Sequence, residues 1–196
     1  MMKYVVLVTG TPCVGKTVVA GRLAKRLSAI YVNLTDYAKC NGLIFGEDAE
    51  RCTSIVDEVK MCQSLAAFIN QSKESVVVDG HFAASVVSSE LSTHVFVLRR
   101  NPVELKVFMQ REDFSEDKMC ENLLAEILDV CFVEAMMAHG GKVCEIDVTG
   151  KTVEETLDEL YVAVLAGKKC VCSNSSVVDW MGYLEREGLL YQYLKL

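Results

Sequence analysis

Short apolar runs alternate along the chain with stretches in which apolar residues recur every three or four positions. Mainly apolar runs occupy residues 4–8, 29–32, 76–78, 94–98 and 143–146. Runs of this length predict buried strands, and the repeats between them predict helices. Because strands and helices alternate, we expect an α/β fold in which a parallel sheet of five strands is covered by helices on both faces.

Local signals mark where several predicted helices begin. Asn101 before Pro102 is typical of a helix start, Ser115 caps a second helix, and Thr152 with Glu155 forms a capping box. The predicted helices cover residues 18–27, 57–70, 103–110, 115–139 and 152–166.

In residues 38–56 the apolar positions follow neither the helix nor the strand periodicity, and the segment contains the loop signals Asn41 and Gly42. This segment is predicted to be a flap beside the second strand, or simply a surface loop. We expect one domain over residues 1–166 and a C-terminal extension, residues 167–196, that packs on it.

The first apolar run leads into Gly10-x-x-x-x-Gly15-Lys16-Thr17, which is the spacing of a P-loop. Glycines at both ends let the backbone turn sharply, so that its N–H groups surround a phosphate chain. Lys16 would place a positive charge against the phosphates, and Thr17 would offer its hydroxyl to Mg²⁺. The helix that follows directs its positive end to the same point. The sequence therefore predicts a nucleotide site that uses Mg²⁺.

Asp79 ends the apolar run at residues 76–78. In a chain with a P-loop, an aspartate in this position is typical of the group that reaches the Mg²⁺ shell. His81 lies two residues further on and could accept a proton, orient water or bind an acceptor phosphate. It could equally well only cap the following turn.

Polar residues at the ends of two other strands are candidates to line the ligand crevice. Asn33, Thr35 and Asp36 follow the second strand, where capping of a helix is an equal alternative. Arg99 and Arg100 follow the fourth strand and are placed for phosphates, unless one of them pairs with an acid.

A charged break at residues 110–114 separates two predicted helices after the fourth strand. Its position suits a short lid, about residues 108–118, that closes over transferring phosphates. Arg111 would then stabilise charge on the moving phosphoryl group. The alternative is an ordinary solvated corner.

The composition narrows the class of protein. The chain has 196 residues, 51% of them hydrophobic, and a net charge of −7. It can fill one core, and an acidic chain without a basic stripe is not expected to bind nucleic acids in general. The N-terminal apolar run is too short for a signal peptide or a membrane span, so we expect a cytoplasmic protein with no membrane contact. In that compartment its nine cysteines are expected to be reduced.

Several motifs are specific in combination. They are Gly-Thr-Pro-x-Val-Gly-Lys-Thr at residues 10–17, Tyr-Val-Asn-Leu at 31–34, Val-Asp-Gly-His at 78–81, Val-Leu-Arg at 97–99, spaced positions over 121–135, and Thr-Gly-Lys at 149–151. Together these motifs resemble the archaeal adenylate kinases related to eukaryotic adenylate kinase isoenzyme 6, over roughly residues 3–165.

The resemblance implies a three-layer P-loop NTPase fold with a short lid. It also implies a nucleoside monophosphate (NMP) kinase of broad specificity that converts ATP and AMP to two ADP with Mg²⁺. ATPase activity in the same site is implied as well, with a role in maturation of the small ribosomal subunit through one of its ribosomal proteins. Two alternatives stay open: an ATPase-type assembly factor with incidental kinase turnover, and a P-loop kinase for another small acceptor.

The resemblance also assigns roles to individual positions. Catalytic roles go to Lys16, Asp79, His81 and Arg111; ATP binding to Cys13, Gly15, Lys16, Thr17, Val18, Arg111 and Lys151; Mg²⁺ to Thr17 and Asp79; and NMP binding to Asn33, Asp57 and His81. An NMP-binding segment is implied at about residues 33–56.

The chain departs from the family pattern at two points. The family usually has glycine where Cys13 stands, so the loop carries a thiol near Lys16 and a helix N-terminus, conditions that lower a thiol pKa. In the lid, the family's arginine-glycine-aromatic pattern becomes Arg111-Glu112-Asp113-Phe114. A gapless match sets Glu112 against the family's arginine, although Arg111 stays the candidate.

Overall fold

A computed structural model describes residues 3–48, 53–166 and 178–194 of the chain. The strands are β1 Val5–Thr9, β2 Ile30–Asn33, β3 Ile44–Asp48, β4 Thr53–Val56, β5 Val76–Asp79, β6 His94–Arg99 and β7 Val143–Asp147. The helices are α1 Lys16–Arg26, α2 Leu34–Cys40, α3 Glu58–Gln71, α4 Ala83–Val86, α5 Pro102–Arg111, α6 Glu116–Ile127, α7 Val130–His139, α8 Val153–Leu165, α9 Trp180–Arg186 and α10 Leu190–Leu194.

Five of the described strands form a parallel sheet in the order β2-β5-β1-β6-β7. Alternate residues of each strand face opposite sides. In β1, Val6 and Val8 therefore pack with α1, α5, α6 and α8, whereas Val5 and Leu7 pack with α2, α3, α4 and α7. This three-layer arrangement confirms the predicted α/β fold.

The sheet register brings the ends of three strands together. Val8, one residue before the end of β1, is paired with Asp79 of β5, and Asp79 is paired on its other side with Asn33 of β2. The P-loop continues directly from β1. The loop, the carboxylate and the amide therefore share the carboxyl edge of the sheet, where ligands of open α/β folds bind.

Of the two predictions for residues 38–56, the simple surface loop is wrong. The segment begins with the end of α2 and continues as an antiparallel hairpin of β3 and β4, apart from residues 49–52, which lie outside the described ranges. The helix predicted over residues 115–139 is in fact two helices, α6 and α7. They are separated at Asp129, whose φ of 59° interrupts the helical path.

The described part of the C-terminal extension packs on the body of the protein. Trp180, Leu184 and Tyr193 are buried in the same cluster as Leu123 of α6. Residues 167–177 of the extension lie outside the described ranges.

Two further findings bear on the sequence predictions. Five described cysteines are free, but Cys144 of β7 is disulfide-bonded, so the expectation that all thiols are reduced is wrong there. Within the described ranges, every helix is too short or too polar to cross a membrane.

Candidate active site

The P-loop depends on glycine at both ends. At Gly10, φ is 134° and a Cβ would lie 2.4 Å from the backbone oxygen of Leu98. At Gly15, which precedes α1, φ is 102°. Because side chains disfavour such backbone angles and the first position has no room, the sequence folds this way only with glycine there. The resulting turn points the N-terminus of α1 into the loop.

Lys16 folds back over the loop that precedes it. Its Nζ donates a hydrogen bond to the backbone oxygen of Thr11 at 2.8 Å. Burial lowers the pKa of Lys16, and the nearby Asp79 carboxylate opposes that shift. An ammonium group in this setting is poorly solvated, so an anion such as a phosphate chain would stabilise it.

Asp79 has one oxygen engaged and one free. The side chain is buried, and Oδ2 accepts hydrogen bonds from the Tyr31 hydroxyl and the Asn33 amide, both at 2.9 Å. Oδ1 is buried without a hydrogen-bond partner. Since an unpartnered buried carboxylate oxygen is costly, this atom suits a hard cation or the water of its hydration shell. Thr17, in the first turn of α1, exposes its side chain on the same loop.

Asn33 caps a helix, as one of its two predicted roles required, and it also contacts a residue of the predicted site. Its Oδ1 accepts from the backbone N–H groups of Thr35 and Asp36, so it caps α2, and its amide orients Asp79.

Tyr31 was not predicted as a site residue. Partial burial and its hydrogen bond to Asp79 raise the pKa of Tyr31 to about 12, so it remains a donor. The sequence did contain a signal for Tyr31: it lies two residues before Asn33 in the same strand, and residues two apart in a strand share a face.

His81 follows β5 and lies against the loop region. Its backbone oxygen accepts a hydrogen bond from the Thr9 hydroxyl at 2.7 Å, and its ring packs edge-on against Phe82. Desolvation lowers the pKa of His81, and the charge of Lys16 lowers it further. The imidazole is therefore neutral at pH 7.

Two cavities flank the P-loop. The first, of about 710 Å³, is lined on the loop side by residues 13–19 and on the other side by Arg100, Phe108, Phe114, Val148 and Lys151 among others. It thus brings together every predicted ATP-binding residue except Arg111. The second, of about 670 Å³, is lined by Thr11, Pro12, Glu58, His81, Phe82 and Cys131 among others. Both volumes are in the range of small-molecule sites.

Arg111 lies outside the wall of the larger cavity. It is exposed at the end of α5, with its guanidinium carbon 5.7 Å from the Phe108 ring centre. Glu112 and Phe114 line the cavity instead. Arg100 is the arginine that does line it: its guanidinium carbon lies 4.7 Å from the same ring centre, and its Nε is buried without a partner.

Arg99 is not available to a phosphate, which agrees with the alternative that one arginine of the pair at the end of β6 binds an acid, although its partners are largely buried. It is 1% exposed and forms ion pairs with Glu126, Asp129 and Glu145. We call these four residues the Arg99 network. Burial alone would lower the pKa of Arg99, but Glu126 and Asp129 raise it above its ordinary value.

Asp57 has a structural role in the described conformation. It caps α3 by accepting a hydrogen bond from the Lys60 backbone at 3.0 Å and pairs with the Lys60 ammonium group. These contacts lower the pKa of Asp57. Asp57 does not line either cavity, whereas its neighbour Glu58 lines the smaller one. Its predicted contact with an NMP stays a prediction.

Cys13 occupies a backbone conformation that favours glycine, with φ of 68°. Its thiol lines the larger cavity. Burial raises the pKa of Cys13, and this effect outweighs the opposing charge of Lys16. The expectation of a lowered pKa is therefore wrong, because the thiol loses more solvation than the lysine restores.

The strain at Cys13 leads to a prediction about stability. A side chain in the left-handed region costs about 1–2 kcal/mol, and glycine adds about 0.5–1 kcal/mol of unfolded-state entropy. Cys13→Gly should therefore raise the free energy of unfolding by about 0.5–1 kcal/mol, measured by urea denaturation. The control is Cys62→Gly in the middle of α3, which should lower stability by about 1 kcal/mol. If both variants lost stability equally, the left-handed conformation at Cys13 would be contradicted.

Comparison with known proteins places this site in a known class. The family described as "AAA domain" matches residues 6–129. Two solved structures share the fold: a gluconokinase from Sinorhizobium meliloti 1021 (TM-score 0.50, 15% identity, 83% of this chain and 92% of that one) and an uncharacterised protein from Eubacterium ventriosum (TM-score 0.56, 15% identity, 84% and 99%). The fold and loop therefore define an AAA-type P-loop protein.

Sequence relatives are more specific. Proteins named "Putative adenylate kinase" match from Pyrococcus furiosus (36% identity, 98% of each chain) and Thermococcus kodakarensis (38%, 90% of this chain and 92% of the relative). A protein of the same name from Methanocaldococcus jannaschii is 33% identical over 89% of this chain and 92% of its own. The chain belongs to the family of these archaeal proteins.

Proposed function

We propose that the protein is a nucleoside monophosphate kinase that converts ATP and AMP to two ADP with Mg²⁺. One observation carries the proposal: the P-loop that carries Lys16 follows β1, and the buried Asp79, with its free oxygen, ends the adjacent strand β5. The two cavities support it further, because both are lined by the loop and can hold a donor and an acceptor on its two sides. The archaeal relatives carry the matching name.

Each cavity suits one substrate. In the larger cavity, the backbone of residues 13–18 would hold the ATP phosphates, and Lys151 with Val148 would lie near the base. The smaller cavity, which contains His81, would hold the acceptor phosphate. Asn33 would contribute to the acceptor side of the site, because it lies beside Asp79 at the carboxyl edge of the sheet. Arg111 could reach the transferred group only if the lid moved inward, and we propose that closure.

The chemistry requires positioning and neutralisation of charge. An oxygen of the acceptor phosphate attacks the γ-phosphorus of ATP, the bond to the β,γ-bridging oxygen breaks, and ADP leaves. Lys16 stabilises the negative charge on the leaving phosphates. Mg²⁺, held by the Thr17 hydroxyl and by Asp79 directly or through water, would neutralise the phosphates when bound. Tyr31 and Asn33 hold Asp79 in the orientation that leaves Oδ1 free.

ATP consumption measured across a series of nucleoside monophosphates tests this proposal. We expect AMP to raise the formation of ADP strongly, and other monophosphates to do so to different extents. If no monophosphate raised ADP formation above ATP alone, the kinase proposal would be wrong. The activity of a kinase for another small acceptor would appear as turnover only with a non-nucleotide acceptor.

We further propose ATP hydrolysis in the same site, with His81 orienting water when no acceptor is bound. Replacement by asparagine should lower hydrolysis roughly 10- to 100-fold but phosphoryl transfer less than about threefold, because only hydrolysis uses a water at that position. The lowered pKa of His81 predicts that hydrolysis is constant near pH 7 and falls only as the pH drops below the ordinary histidine range. Initial rates of both reactions from pH 5 to 8 measure this.

His94→Asn is the control for the His81 variant. His94 is also a histidine of lowered pKa, but it lies in β6 beside Thr93 and lines neither cavity. It should leave the ratio of hydrolysis to transfer unchanged. Equal losses of hydrolysis and transfer in the His81 variant would reject this division of roles.

The cellular role is proposed from the family resemblance: a cytoplasmic factor in maturation of the small ribosomal subunit, acting with a ribosomal protein. Two exposed apolar residues that line the smaller cavity, Val130 and Met137, support a protein partner. The test is whether a small-subunit ribosomal protein or its RNA raises ATP hydrolysis. A rise in hydrolysis with little effect of AMP would favour the assembly factor over the kinase.

A further inference from the structure

The carboxylate of Glu126 lies at a junction between the phosphate loop and the C-terminal extension. It is 1% exposed. Oε1 accepts hydrogen bonds from Arg99 Nε at 2.9 Å, from the Arg100 backbone at 3.1 Å and from Trp180 Nε1 at 3.0 Å. Oε2 accepts from the hydroxyl of Thr11. One buried side chain therefore contacts the P-loop, the end of β6 and the first residue of α9.

Thr11 connects this carboxylate to the nucleotide site. Its hydroxyl donates to Glu126, and its backbone oxygen accepts the hydrogen bond from Lys16 Nζ at 2.8 Å. The position of Thr11 therefore affects both the path of the loop and the resting place of the lysine charge. Because Thr11 is 1% exposed, water cannot replace a lost partner without a local rearrangement.

The extension donates to the same network twice. Besides the indole of Trp180, the backbone N–H of Val178 donates to Glu145 Oε2 at 3.2 Å, and Glu145 is an ion-pair partner of Arg99. A docked segment needs only apolar contacts for adhesion, and Leu184 and Tyr193 supply them. Hydrogen-bond donors that contact buried carboxylates have a second effect beyond adhesion, because they fix the orientation of each carboxylate.

We propose that Trp180 is a positioning residue for the P-loop. Its indole N–H orients Glu126, Glu126 holds Thr11, and Thr11 sets the loop that receives the ATP phosphates. The described part of the C-terminal extension thus completes the ATP site without lining the larger cavity. This inference rests on the proposed binding of ATP at the loop.

The test is direct binding of Mg·ATP to the full-length Trp180→Phe variant, which keeps an aromatic ring but loses the donor. We expect the Kd for ATP to rise about threefold to tenfold, the effect of one hydrogen bond to a charged group acting partly through its neighbours. In kinase assays the KM for ATP should rise while kcat changes less than about twofold. Tyr193→Phe is the matched control: it removes a hydroxyl from a buried ring of the same extension and should leave the Kd unchanged.

A double-mutant cycle separates positioning from general destabilisation. Thr11→Val cuts the link to Glu126, so adding Trp180→Phe to it should weaken ATP binding no further. Adding Trp180→Phe to Thr11→Ser, which keeps the hydroxyl, should still weaken binding. Additive effects in both pairs, or an unchanged Kd in Trp180→Phe, would overturn the inference.

The wild-type chain provides a readout that does not depend on folding of the Trp180 variant. Trp180 is the single tryptophan, so its fluorescence reports this junction alone. Saturating Mg·ATP should change its emission in wild type and in Thr11→Ser but not in Thr11→Val. Equal responses in all three proteins would contradict the coupling. A wild-type protein that binds no ATP would instead overturn the proposed function, and the inference with it.

Discussion

Lys16→Ala should reduce both phosphoryl transfer and ATP hydrolysis by at least about 100-fold, the loss typical of removing one preorganised charge-stabilising donor. The physical reason is that, among the described residues, Lys16 is the ammonium group on the loop side of the larger cavity, whereas Arg100 and Lys151 line its other side, so the negative charge on the leaving phosphates loses its nearest positive partner. Initial rates of ADP formation, with and without AMP, measure both reactions. The two should fall together, because each breaks the same bond of ATP.

Lys25→Ala provides the control for this result. Lys25 lies in the same helix α1 but is exposed and lines neither cavity. Its removal changes the net charge by the same amount and should leave both rates within about twofold, as expected of a solvated surface charge. If the Lys16 variant turned over ATP as fast as the Lys25 variant, the P-loop would not be the site of ATP chemistry.

The central sheet could be predicted because its signal is local. Strands such as β1 and β5 are buried on both faces, so each is a continuous apolar run that needs no knowledge of its neighbours. The P-loop could be predicted for the same reason, since its glycines are required by the backbone itself. The rule that ligands bind at the carboxyl edge of a parallel sheet predicted that Asp79 would lie close to the P-loop.

The hairpin of β3 and β4 could not be recognised in this way. Two of its described apolar side chains are largely solvated: Phe45 is 70% exposed and Ile55 is 42% exposed. The pairing also shifts register between Ile44 and Gly46. A strand that buries little and contains a bulge shows only weak alternation, so its sequence resembles that of a loop.

The break between α6 and α7 has a tertiary cause. Asp129 adopts φ of 59°, and its carboxylate accepts a hydrogen bond from Arg99. Nothing in the neighbouring sequence indicates that partner, which lies 30 positions away. The same holds for the contacts of Glu126 with Thr11 and Trp180, which are 115 and 54 positions distant. Motifs identified the candidate residues for ligand contact, but not the residues that hold those candidates in place.

Arg99→Met should have the largest effect on stability. The substitution keeps an unbranched apolar stem but leaves Glu126, whose side chain is 1% exposed, without the arginine that pairs with it. Breaking a buried pair on one side costs about 3–5 kcal/mol, because the remaining charge is neither solvated nor paired. For a domain of this size each kcal/mol corresponds to about 2–4 °C, so Tm should fall by about 6–20 °C. Calorimetry or circular dichroism during heating measures this.

Arg22→Met is the matched control, because it removes the same charge from an exposed pair. Arg22 pairs with Glu154 at the surface, with side-chain exposures of 49% and 65%. Such pairs contribute about 0–1 kcal/mol, so its Tm should fall by less than about 4 °C. Adding Glu126→Gln to Arg99→Met should recover part of the loss, since it neutralises one stranded carboxylate while keeping acceptor and shape. If the Arg99 and Arg22 variants melted at the same temperature, the buried carboxylates would have to be neutral already, and the Arg99 network would not be a set of ion pairs.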